Sequence, residues 1–176
     1  MNIDWRGWTR GQWATRLVVV AGPLLALFAR TPSMGAPHAW VVLMVLALAV
    51  GWALVPESVV GAVTLLVVGF SWASGDSVDV AVGALVAAAG MLAAHVAALL
   101  ASYGPSRLPI DPGTARLWTL RGAALFGAAV VVWALSQLVA ELPDSGSVWV
   151  FGLLVALSVI VVATAVLQAA NPREEE

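Results

Sequence analysis

Apolar residues run along this chain in six blocks, at about 13–30, 39–55, 58–75, 79–103, 117–141 and 148–170. Short stretches of proline, glycine, serine and charged residues part them. A bilayer's hydrocarbon core of ~30 Å takes ~20 apolar residues of helix, with a floor near ~17. The pattern therefore predicts an all-α integral membrane protein, a compact bundle of six transmembrane helices. Pro56-Glu57-Ser58 divides the second block from the third. One helix over 39–75 is far too long for a single crossing, and proline disfavours helical continuation, so a tight helical hairpin is expected there. The first block is the least regular, because Arg16 and Arg30 bracket a short apolar stretch. Arginine stems snorkel to the interface, which makes 13–30 long enough. The rival reading is a secretory signal cleaved near Gly35-Ala36, with Arg6, Arg10 and Arg16 as its charged region. The long basic region and the intervening Arg30 and Pro32 favour a retained span.

Arginine placement orients the bundle. With both ends in the cytoplasm, Arg6, Arg10, Arg16, Arg107, Arg116, Arg121 and Arg173 lie inside and only Arg30 lies outside, which is the asymmetry that cytoplasmic loops show. Tryptophan prefers the headgroup level, where its ring is apolar and its N–H is wet. On this reading Trp13, Trp52 and Trp118 mark inner ends of spans, and Trp40, Trp72 and Trp149 mark outer ends. Trp5 and Trp8, mixed with Arg6 and Arg10, are expected to rest on the inner surface. A short echo between Trp52-Ala53-Leu54 and Trp133-Ala134-Leu135 has unequal spacing and is put down to chance.

Composition agrees with the pattern and removes several function classes. The chain of 176 residues is 61% hydrophobic and 10% charged, with a mean hydropathy of +0.96. Nearly every residue is taken by the six blocks, leaving a single membrane domain over 1–176 whose last residues, 171–176, form a short acidic cytoplasmic tail. Cysteine is absent, which excludes disulfides and thiolate chemistry. The net charge of -2 offers no basic surface for nucleic acid. All basic residues are arginine, and with the abundance of Ala, Val and Leu this points to a GC-rich bacterial genome and so to the bacterial cytoplasmic membrane. No cofactor is expected. The expected partners are the lipid bilayer and either a protein subunit or a second copy of the chain.

Few residues offer chemistry. The 79–103 block carries Gly83, Ala87, Gly90, Ala94, Ala98 and Ser102 at spacings of three or four. Small residues let helix backbones approach closely in lipid, and this helix is expected to be the central one. His95 shares a face with Ala88, Met91, Ala98 and Ser102, and an ionisable residue within a span is a functional candidate. Depth places Arg121, Thr164 and Gln168 on the same inner side, so an intramembrane polar cluster of His95, Arg121, Thr164 and Gln168 is a candidate site. The plain alternative is that each residue only packs, snorkels or bonds a neighbouring helix. Asp76, Asp79, Glu141 and Asp144 form a candidate acidic rim on the outer face, where cap and turn roles are the simpler account. In the 104–116 loop, Thr114 is a plausible cap for the fifth helix.

Catalytic motifs fail. Gly69-Phe70-Ser71 followed by a histidine one helix later resembles the serine–histidine pair of rhomboid intramembrane proteases, but their Gly-x-Ser-Gly is here Gly69-Phe70-Ser71-Trp72. Ser71 and His95 are also expected near opposite surfaces. His38 and His95 belong to opposite leaflets and do not make a haem pair. The expectation is a non-enzymatic accessory or scaffold subunit of a bacterial membrane complex. Second comes a small transporter or channel with His95 as a proton-sensitive site, and third an intramembrane enzyme.

Overall fold

The computed structural model of the chain describes residues 8–74, 82–103, 111–140, 152–155, 157–158 and 161. Among them the regular structure is all helix: α1 (Arg10–Phe28), α2 (Thr31–Met34), α3 (Ala39–Leu54), α4 (Val60–Ala73), α5 (Val82–Ser102) and α6 (Pro112–Ala140). By length and composition α1, α5 and the Pro112–Gln137 part of α6 can each cross a membrane. The helices α3 and α4 have 16 and 14 residues, about 24 and 21 Å at ~1.5 Å per residue. The chain divides into two compact units, Met1–Ala134 and Leu135–Glu176. Within the second, the Ser158 hydroxyl donates to the Leu154 carbonyl at 2.8 Å, a bond across one helical turn.

The first unit is organised around α1. Thr9 caps it, its hydroxyl oxygen accepting from the Gln12 N–H at 3.4 Å. One face of α1, including Val19, Gly22, Ala26 and Leu27, is buried, and α3, α4 and α5 all pack on it. The expectation that the small-residue helix is central needs correcting: the hub is α1, and the stripe on α5 is the surface that meets it. An ideal Cβ built on Gly90 lies 2.7 Å from the Gly22 carbonyl oxygen, one on Gly22 meets the Gly90 oxygen, and one on Gly83 meets the Ala29 oxygen. These backbones touch, which only the absence of side chains permits.

The contacts set the directions. Val19 packs with Trp52 and Ala53, while Ala26 and Leu27 pack with Val45, so α3 runs antiparallel to α1. Gly22 against Gly90 and Ala29 against Gly83 make α5 antiparallel as well. Gly122 faces Val96, and Trp118 lies 6.2 Å from Tyr103 between ring centroids, so α6 returns alongside α5. The helices α1 and α4 run parallel, and their C-terminal ends clasp each other. The Trp72 indole N–H donates to the Ala26 carbonyl at 3.0 Å, and Arg30 Nη1 donates to the Ser71 carbonyl at 2.6 Å. Both acceptors belong to the last turn of a helix, where carbonyls have no partner within the helix and a cation is favoured.

Three expectations about ends change. Trp52 is not an interfacial anchor: it is 3% exposed, its N–H donates to the Pro56 carbonyl at 3.3 Å, and its indole fills the space over Gly61. Trp72 is spent on the clasp, whereas Trp40 is 64% exposed, as an anchor should be. The fifth predicted helix begins at Pro112 rather than near 117, and its cap is Asp111, not Thr114. The Thr114 backbone N–H and hydroxyl donate to Asp111 Oδ2 at 2.7 and 3.0 Å. Asp at the cap followed by Pro in the first helical position is the arrangement helix starts favour.

These bonds, the Thr114 backbone N–H first, hold the Asp111 carboxyl below the usual carboxylate range. A group with a depressed folded-state pKa stabilises above its ordinary pKa and loses that contribution as pH falls through the lowered value. On acidification below about pH 4 the Thr114 amide resonance is therefore expected to shift as its acceptor is protonated, with no such change at neutral pH. Asp111→Ala is expected to show the shifted resonance at every pH.

Candidate functional site

The turn between α3 and α4, residues 55–59, folds back against the last turns of α5 and leaves a cavity of about 350 Å³. Trp52, Glu57, Ser58, Leu65, His95 and Ser102 are among its lining residues. Two hydroxyls there are already committed. Ser58 Oγ donates to the Val55 carbonyl at 2.6 Å and Ser102 Oγ to the Leu99 carbonyl at 2.7 Å. Neither offers its proton to His95, so no serine–histidine pair forms at this cavity. Glu57 and His95 both line the cavity, are exposed, and make no hydrogen bond or ion pair among the described residues. A carboxylate and an imidazole thus share an apolar recess. Among the described residues no group of three or more His, Asp or Glu gathers to hold a metal ion.

The predicted polar cluster is only partly placed. His95 lies at the end of the unit that carries the α3–α4 turn, where it lines a cavity rather than being sealed between helices. Arg121 does not line that cavity. It is exposed, and its guanidinium carbon stands 5.3 Å from the centroid of the Trp118 ring on its own helix. Helical geometry explains the separation: Gly122 is the α6 residue that faces Val96 of α5, and the neighbouring position turns away. Thr164 and Gln168 lie outside the described residues, as do Asp76, Asp79, Glu141 and Asp144 of the acidic rim. Ser71 lies near the far end of α4 from the turn, its hydroxyl donating to the Val68 carbonyl at 2.8 Å.

Glu57 escaped notice as a partner because it reads as a turn residue. Its place in the turn between the second and third apolar blocks, at the end where the 79–103 block finishes, is the signal that places it near His95. A second polar feature lies at the start of α1. Gln12 is fully buried and Arg16 is 8% exposed, with Arg16 Nη1 donating to Gln12 Oε1. The guanidinium carbon of Arg16 lies 4.1 Å from the centroid of the Trp8 ring, which itself meets Trp13 edge-on at 5.0 Å. Arg16 was expected to reach for the interface as a snorkelling residue; its head turns back instead to an amide four residues earlier and an aromatic face. A third feature is an apolar cavity of about 440 Å³ among α1, α5 and α6, with Val18, Leu92, Val96 and Phe126 in its wall. Compared with known proteins, the chain matches no family model, no curated protein and no solved structure.

Proposed function

We propose that this chain is a multi-pass protein of the bacterial cytoplasmic membrane, with six spans and both ends inside, and that it serves as a non-enzymatic accessory or scaffold subunit of a membrane complex. The observation that carries the reading is α6. Only 6% of its apolar window is buried within the structure, against 39% for α1 and for α5. Leu120, Leu125 and Val131 stand 58 to 63% exposed along it, a full-length apolar helix open to a neighbour. Packing of small and apolar side chains is what joins helices in lipid, so a second subunit's helix fits this face. Retention of the first span is supported by the burial of Val19, Ala26 and Leu27, on which the unit's packing depends. The up-and-down alternation of α1, α3, α4, α5 and α6 supports multiple crossings, and short α3 and α4 are accommodated by local thinning of the bilayer.

The test is gentle extraction of the tagged chain from its native membrane, with identification of whatever accompanies it. One protein in stoichiometric amount, lost when Leu120 and Leu125 are replaced by Trp, is the expected result. A chain that purifies alone, as monomer or homo-oligomer, overturns the subunit reading. It would favour the alternative of a small transporter, which the cavity shared by His95 and Glu57 supports. In that case His95→Ala abolishes solute flux in reconstituted vesicles.

A further inference from the structure

The cavity at the α3–α4 turn has the features of a ligand site independent of either role for the whole chain. Its volume of about 350 Å³ falls within the range of small-molecule pockets, ~300–1,000 Å³. Its walls are apolar, with Ala62, Leu65, Ala98 and Leu99, and the Trp52 indole closes one side. Of the groups that face it, the turn supplies Glu57 and α5 supplies His95, while α3 and α4 supply nothing that titrates. The serine hydroxyls donate to backbone carbonyls and the Trp52 N–H donates to Pro56, so among the described side chains that line the cavity the polar ones making no hydrogen bond are Glu57 and His95. With His95 neutral the recess carries one negative charge beside an aromatic ring, a combination that attracts cations with apolar bodies. A carboxylate only accepts hydrogen bonds, and a neutral imidazole accepts one, whereas a primary ammonium donates three.

We infer that this cavity binds a primary alkylammonium, its nitrogen between Glu57 and His95 and its apolar body against Leu65 and Leu99. The ammonium belongs to a small free amine or to the ethanolamine headgroup of a lipid, since both present the same group to the same two acceptors.

The probe is benzylammonium, titrated by calorimetry into the full chain in zwitterionic detergent, with benzyl alcohol as the uncharged body of similar shape. Saturable binding of benzylammonium at about pH 8, with benzyl alcohol weaker by about tenfold or more, is expected. Glu57→Gln is expected to weaken it by about tenfold or more, the scale of a charge-assisted hydrogen bond. His95→Gln should leave binding within about threefold, because an amide oxygen still accepts. Native mass spectrometry of the chain from mixed phosphatidylethanolamine and phosphatidylcholine vesicles separates the sources. Ethanolamine lipid retained by the wild type and lost from Glu57→Gln assigns the headgroup, and benzylammonium binding without lipid retention assigns a free amine. Benzyl alcohol binding as tightly as benzylammonium, or Glu57→Gln leaving the affinity unchanged, overturns the proposal. The first comparison uses only the wild-type chain, so it stands even where a variant misfolds. Binding is read directly, so its failure leaves the subunit reading intact, and a missing partner leaves this site intact.

Discussion

Gly22→Leu is expected to unfold the α1–α5 pair in detergent, and Gly69→Leu is not. An ideal Cβ on Gly22 meets the Gly90 carbonyl oxygen and lies 2.8 Å from the Ala94 Cβ, so the first carbon of any side chain collides with rigid backbone. The helices must separate, and with them go the contacts of Val19 and Ala26 with α3 and α5. Overpacking of this kind costs about 1–3 kcal/mol in cores that can yield, and a backbone obstacle places this case at about 3 kcal/mol or above. A Cβ on Gly69 has nothing within 4 Å, so a leucine there meets open space and adds no steric cost. The measurement is resistance to unfolding by sodium dodecyl sulfate in mixed micelles, followed by tryptophan fluorescence. Equal loss of resistance in the two variants would show that glycine at position 22 is not needed for close approach.

The second large effect is expected from the buried pair at the start of α1, and it has a signature in which two changes are milder than one. Gln12→Leu leaves the Arg16 guanidinium buried without its amide acceptor, for which about 1.5–3 kcal/mol is the expected loss. Adding Arg16→Met removes the charge and fills its space with a flexible apolar side chain. The double variant is expected within about 1 kcal/mol of the wild type, or above it, because apolar replacements of a buried pair are often neutral or stabilising. The same unfolding assay completes the cycle, and the coupling between two contacting residues is what it isolates. A double variant as unstable as Gln12→Leu alone would mean that the pair itself is not the source of the loss.

The all-helical class was legible in the chain because apolar length marks helices, three of which are long and apolar enough to cross a membrane. The small-residue stripe named its own contact surface, and Gly83, Gly90 and Ala94 are where α5 meets α1. The hub was misplaced because α1 hides its role: a proline at position 23, an arginine at 16 and a glutamine at 12 read as signs of a marginal segment. In the fold those same residues face inward. The start of α6 was readable from Asp111-Pro112, yet the apolar run that begins later drew the boundary to 117. Of the site, His95 was visible as a lone ionisable group within a span, but its companion was not. Glu57 sits 38 residues away in sequence, and only the return of α4 and α5 brings the turn level with it. Arg30 was read as an outer-loop charge, and its bond to the Ser71 carbonyl depends on which two helices run parallel, which periodicity does not encode.

The clasp between α1 and α4 also bears on how the chain is made. The Ala26 carbonyl and its donor Trp72 are 46 residues apart, and Arg30 and the Ser71 carbonyl are 41 apart. A ribosome adding about 5–20 residues per second needs about 2–9 s to cover that interval. Throughout it, the newborn first helix has a carbonyl-rich end with no protein donor to receive it. The Pro56 turn and both hydrophobic arms around it must be made before that end is closed, so these two bonds form only once α4 is complete.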